Sequence, residues 1–89
     1  MAATKSPTPA QLRAARGLLG WSQAHLAEVA GVSLRTVKAM ELVADFKPLP
    51  GRPETIARLV AALSSAGVTL TSGRGVIGVN RTVPDSSEP

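Results

Sequence analysis

The chain has 89 residues, no cysteine, and ten Lys and Arg against six Asp and Glu, which gives a formal net charge of +4. This length allows one small domain, and the lack of cysteine excludes disulfides and thiolate metal sites. No apolar run approaches the roughly 20 residues of a membrane span, and residues 1–7 lack the apolar stretch of a secretory signal. We therefore expect a cytoplasmic protein without membrane contact, and its positive charge suits a polyanionic partner.

The chain opens with a predicted flexible arm, residues 1–7, followed by a first helix. Thr8 is a candidate N-cap, Pro9 suits the first helical turn, and Gln11 completes the spacing of a capping box. Helical spacing then places four residues on one face: Leu12, Ala15, Arg16 and Leu19. The arginine on this otherwise apolar face requires a partner.

Two short helices follow, joined by a tight turn. Ser22 is expected to cap the second helix and Ser33 the third, with Gly31 in the left-handed conformation between them. Their inward faces are predicted to consist of Leu26, Ala27, Val29, Ala30, Val37 and Met40. This spacing is typical of a helix-turn-helix, in which the second helix of the pair enters a DNA major groove. An ordinary αα-hairpin in a small bundle is the alternative.

The last part of the chain is predicted to form a loop, a helix and a β-hairpin. Residues 45–52 are rich in Pro and Gly and form the loop, Pro53 opens a fourth helix, and Gly67 ends it. Apolar and polar residues then alternate on both sides of a turn at residues 72–75, which predicts a hairpin over residues 68–80. The predicted organisation is a helical domain over residues 8–67, this hairpin, and a flexible tail over residues 81–89.

The stretch from Pro9 to Glu41 resembles the Cro/C1-type (Xre-like) helix-turn-helix family, which includes lambdoid phage repressors and many small bacterial regulators. The matching motifs are Leu12-Arg13-x-x-Arg16, Trp21-Ser22-Gln23-x-x-Leu26-Ala27, Ala30-Gly31-Val32-Ser33 and Thr36-Val37-x-x-Met40-Glu41. The resemblance covers 33 of the 89 residues. It implies a mainly α, four-helix, lambda-repressor-like domain, and it says little about the short C-terminal hairpin.

The resemblance also implies which residues contact bases, from a recognition helix at residues 33–42. The positions are Ser33, Leu34, Arg35, Lys38 and Ala39. Arg35 is the best candidate for a bidentate contact to guanine, whereas Leu34 and Ala39 can offer only apolar contact, most naturally to a thymine methyl group. The alternatives are a solvated helix face for Arg35 and Lys38, and a Leu34 that folds back on the core.

Other polar residues are assigned to the DNA backbone or to the interior. In similar proteins the residue at Gln23 binds a phosphate, and the further candidates for phosphate contact are Ser22, Thr36, Lys47 and Arg52. Arg16 and Glu41 match a pair that forms an internal salt bridge in this family, although Arg16 could instead be a surface phosphate contact. Three further arginines are interpreted as solubility charges: Arg13, Arg58 and Arg74.

We expect a homodimer, because a single module buries only about 600–1,000 Å² on DNA. Two recognition helices would then enter successive major grooves roughly 34–36 Å apart. The hairpin is the expected dimer interface, since its strands expose an edge that is more apolar than a free edge should be. Its contact residues would be Val68, Leu70, Val76, Ile77 and Val79. Alternatively, the hairpin covers the fourth helix within one monomer.

The expected function is sequence-specific transcriptional regulation on an inverted-repeat operator, for which repression is a simpler mechanism than activation through RNA polymerase. One alternative is an antitoxin that binds its own operator and holds a toxin, and another is an interaction module that has lost DNA binding. We expect neither catalysis nor a cofactor. His25 is the one histidine, with only Glu28 at helical spacing, which is too few ligands for a metal, and general acid–base candidates are almost absent.

Overall fold

The computed structural model describes residues 7–44, 47–73 and 76–82. It contains four helices, α1 (Pro9–Leu19), α2 (Gln23–Ala30), α3 (Leu34–Glu41) and α4 (Pro53–Ser65), followed by two strands, β1 (Val68–Gly73) and β2 (Val76–Arg81). The prediction of a mainly helical domain with a C-terminal hairpin is confirmed. Most of the predicted arm, Arg74 and the tail from residue 83 onward lie outside the described residues. None of the described helices is long and apolar enough to cross a membrane.

The two shortest helices begin at serine caps and are separated by a left-handed glycine. Ser22 Oγ accepts the backbone N–H of His25 at 3.0 Å, and Ser33 Oγ accepts that of Thr36 at 3.0 Å. Gly31, with φ of 74°, ends α2, where a residue with a side chain would be strained. Helices of eight residues are not stable alone. Their bounds therefore depend on these caps and on packing.

The core lies where the four helices meet β1. Its buried apolar residues are Leu12, Ala15, Leu26, Ala27, Ala30, Val37, Met40, Leu49, Leu59, Ala62, Leu63 and Val68. Val29 departs from the prediction, because 46% of its surface is exposed. The buried face of α2 is set by Leu26, Ala27 and Ala30, and Val29 lies about 100° around the helix from Ala30.

The apolar side of the hairpin faces the monomer core. The strands pair antiparallel with Leu70 opposite Val79, and both residues pack against the core, while Val68 is only 1% exposed. This corrects the assignment of Val68 to a dimer interface, because Val68 is covered by its own chain, whereas Leu70 and Val79 are only partly buried. The alternation that predicted the hairpin is explained by burial within one monomer. The side chains of Val76 and Ile77 lie outside the described part of the chain.

Gln11 joins the start of α1 to the hairpin. Its amide nitrogen donates to the carbonyl oxygens of Thr71 at 2.8 Å and Gly78 at 3.0 Å. Its amide oxygen accepts the backbone N–H of Thr8 at 3.1 Å, and Thr8 Oγ1 in return accepts the N–H of Gln11. Gln11 is only 3% exposed, and both amide hydrogens and the amide oxygen of its side chain are hydrogen-bonded. The sequence predicts the capping box but not the contact with the hairpin.

Replacing Gln11 tests how far this contact stabilises the fold. We expect Gln11→Met to lower the free energy of unfolding by about 2 kcal/mol, since buried polar groups lose their partners. Gln11→Glu should cost at least about 1 kcal/mol more at pH 7, because a carboxylate would face two carbonyl oxygens. Urea denaturation of both variants provides the comparison.

The stability of the Gln11→Glu variant, measured relative to that of Gln11→Met, should also depend on pH. The two carbonyl oxygens would raise the folded-state pKa of the introduced glutamate above its unfolded value of about 4.3. Its stability relative to Gln11→Met should therefore be highest below pH ~4.3 and should be lost as the pH rises through the raised pKa. A difference between the variants that stays constant with pH would contradict this role of Gln11.

Candidate nucleic-acid interface

One face of α3 is exposed along its whole length. Arg35, Lys38 and Ala39 are exposed, and Leu34 keeps 37% of its surface accessible to solvent, so Leu34 does not fold back into the core. Val37, at 0% exposure, lies on the opposite, buried face. Four of the five predicted base-contacting residues therefore lie together with their side chains accessible.

Ser33, the fifth, is exposed but already engaged. Its Oγ accepts the N–H of Thr36 and lies 2.8 Å from Thr36 Oγ1. These contacts cap α3 and use one of the two hydroxyl hydrogens. Ser33 and Thr36 thus fix the start of the helix, and one hydroxyl hydrogen of the pair remains available to a further acceptor.

Arg16 and Glu41 meet in a bidentate ion pair that ties α1 to the last residue of α3. Arg16 Nε donates to Glu41 Oε2 and Nη2 to Oε1, each at 2.8 Å, and Nη1 donates to the carbonyl oxygen of Trp21 at 3.0 Å. The Glu41 side chain is only 4% exposed. The hydrogen bonds to Glu41 raise the pKa of Arg16, although burial acts in the opposite direction. Arg16 therefore forms the salt bridge with Glu41 that the resemblance implied, and its side chain is 18% exposed.

Gln23 is held against the same carboxylate. Its Nε2 donates to Glu41 Oε1 at 3.1 Å. Since a carboxylate can only accept, this bond fixes which end of the amide faces Glu41. One N–H of that amide is left for a further acceptor, and the first turn of α2 adds backbone N–H groups that have no acceptor within the helix. The first residue of α2 thus presents a free amide N–H beside the end of α3.

Two arginines interpreted as solubility charges have structural partners instead. Arg13 Nη1 donates to the backbone carbonyl of Glu41 at 3.0 Å, and Arg58 Nη1 donates to that of Gly31 at 3.3 Å. Both carbonyls lie at helix ends, where cations are favourable. The position of Arg13, three residues before Arg16 on the same helix, was the signal that could have placed it near Glu41.

A shallow cleft of about 520 Å³ runs along one side of the α3 face. Its lining residues are Arg13, Arg16, Gln23, Lys38, Glu41 and Leu42. Leu42, which sequence reasoning missed, is 86% exposed and lies one helical turn after Lys38. Because the charge of Glu41 is paired with Arg16, Arg13 and Lys38 leave this cleft with a net positive charge.

On the other side of α3, the loop before α4 brings a further cation to the surface. A second cleft is lined in part by Arg35, Ala39, Gly51 and Arg52. Gly51 has a φ of 110°, a backbone conformation that favours glycine, and a Cβ there would lie 2.9 Å from Cε at the end of the Met40 side chain. Arg52 is exposed and makes no side-chain cap of α4. Lys47 is exposed in the preceding loop, as is Ser22 at the start of α2.

Comparisons with known proteins do not identify the chain: no protein-family model matches it, and no curated protein matches it significantly. Within the described ranges, no three His, Asp or Glu side chains are grouped so that they could hold a metal ion. The argument for function therefore depends on the geometry and charge of the α3 face.

Breaking the ion pair should destabilise the domain. We expect Arg16→Met and Glu41→Leu each to lower the free energy of unfolding by about 3 kcal/mol, because each leaves the partner charge buried and unpaired. The double variant should lose clearly less than the sum of the two. Arg35→Met is a matched control on the exposed face and should change stability by no more than about 0.5 kcal/mol. Urea denaturation measures these free energies of unfolding. If the loss in the double variant equalled the sum of the two single losses, Arg16 and Glu41 would not be energetically coupled.

Proposed function

We propose that this protein is a sequence-specific DNA-binding transcriptional regulator with a Cro/C1-type helix-turn-helix, and that α3 is its recognition helix. One observation carries the proposal: the exposed face of α3 bears Arg35 and Lys38, and polar or basic groups flank it on both sides. Gln23 and Arg13 lie along one side, and Arg52 lies along the other. Such a surface offers a central set of groups to base edges and lateral groups to two phosphate backbones.

The roles within this surface follow from reach and chemistry. Arg35, in the first turn of α3, would donate two hydrogen bonds to O6 and N7 of a guanine, and Lys38 would reach a base or a phosphate one turn further along. The free N–H of Gln23 and the hydroxyl hydrogen of Ser22 would bind one phosphate at the start of α2. Lys47 and Arg52, both exposed, would follow the opposite backbone.

We further propose that the protein binds as a homodimer to an inverted repeat in the bacterial cytoplasm. One module of this size buries too little surface on DNA for operator-level affinity, and a two-fold axis would place two α3 helices in successive major grooves. Occupation of a promoter by this dimer would then be sufficient to repress transcription.

Charge removal on α3 should separate base contacts from phosphate contacts. We expect Arg35→Ala to weaken binding to the selected operator by about 1–3 kcal/mol and to relax preference at one base pair of each half-site. Lys47→Ala, which removes an equal charge outside α3, should weaken operator and random DNA alike and reduce the salt slope by about 1 per subunit. The measurement is a fluorescence-anisotropy titration over a salt series. If Arg35→Ala weakened binding to the operator and to random DNA equally, Arg35 would contact a phosphate and not a base.

The oligomeric state on DNA should depend on both half-sites. Scrambling one half-site should weaken binding at least about tenfold, because one recognition helix loses its base contacts. Light scattering of the complex should give two chains on the intact operator. A complex of one chain with undiminished affinity would contradict the dimer.

A further inference from the structure

The centre of the exposed face of α3 offers hydrogen-bond donors and apolar groups. Arg35 and Lys38 can only donate, and Leu34 and Ala39 are apolar. The carboxylate of Glu41 accepts three N–H groups, two from Arg16 and one from Gln23. The Ser33 and Thr36 oxygens are bonded to each other in the cap of α3. The four accessible side chains at the centre of this face, Leu34, Arg35, Lys38 and Ala39, therefore include no hydrogen-bond acceptor.

This inventory selects among the four bases. Adenine N6 and cytosine N4 each present a donor in the major groove and require an acceptor from the protein. Guanine presents two acceptors, which Arg35 can bind, and thymine presents an acceptor at O4 beside its C5-methyl group. These four side chains therefore complement guanine and thymine, and they offer no acceptor to the donors of adenine or cytosine.

Leu34 is the side chain placed to meet the methyl group. It lies next to Arg35 in the first turn of α3, and 37% of its surface is exposed. Contact with a methyl group would remove that apolar surface from water, whereas a polar base edge would bury it against unpaired groups. Ala39, one turn after Arg35, is short enough to let the base edge approach the guanidinium.

We propose that Leu34 determines specificity by recognising the C5-methyl group of a thymine close to the guanine that Arg35 binds. The inference rests on the proposed function, since it concerns the same surface of α3. It assigns the preference for thymine to burial of one methyl group and not to a hydrogen bond.

The test begins with selection of an operator from random duplexes by the full-length protein. Each thymine of the half-site is then replaced by uracil, which removes the methyl group and leaves base pairing and O4 unchanged. At the contacted position we expect binding to weaken about fourfold per half-site, the effect of exposing one methyl group. Anisotropy titrations at fixed salt measure the ratio.

Two leucine-to-alanine variants test whether Leu34 is the residue that contacts this methyl group. Leu34→Ala should bind the thymine and uracil duplexes equally at that position, and alanine keeps the helix favourable. Leu18→Ala is the matched control: Leu18 is 43% exposed but lies on α1, so the fourfold ratio should persist. Circular dichroism checks that both variants are folded.

The possible failures are distinguishable. If selection enriches no sequence, the proposed function itself fails, before any uracil duplex is made. If an operator is enriched but uracil has no effect at any position, or if Leu34→Ala retains the fourfold ratio, the role of Leu34 is overturned while sequence-specific binding stands.

Discussion

The ion pair between Arg16 and Glu41 is the constraint on which the presentation of α3 depends. Glu41 is the last residue of α3, and its buried carboxylate accepts three N–H groups from α1 and α2. A buried carboxylate without such partners is strongly unfavourable, so the three helices must meet where these donors converge. An eight-residue helix has little stability of its own, and this network fixes the direction in which its exposed face points.

The same carboxylate connects the interior to the surface. Because Oε1 of Glu41 accepts from both Arg16 and Gln23, the charge that neutralises Arg16 also orients the amide that would bind a phosphate. A change at Glu41 should therefore alter the proposed DNA binding even where the fold survives, through Gln23 and not through any direct contact. Leu42, the next residue, shows how abruptly burial ends: Glu41 is 8% exposed and Leu42 is 86% exposed.

Local signals predicted the helices well, and contacts distant in sequence were the part that the sequence could not supply. Ser22, Ser33 and Gly31 mark helix ends through interactions within four residues, so their roles follow from the sequence. An arginine on an apolar face indicated a partner, and the family resemblance named it. Gln11 bonds to carbonyls 60 and 67 residues away, and no periodicity reports such a contact.

The hairpin shows why an apolar pattern does not by itself identify an interface. Alternation gives a strand one apolar face, but it does not say whether a helix of the same chain or a second subunit covers that face. Here α1 and α4 cover Val68, Leu70 and Val79, so these side chains contribute to the monomer core. Within the described residues each strand has one neighbour, and its other edge keeps backbone groups that can pair. A subunit contact at the hairpin can therefore use this backbone edge, which requires a matching strand.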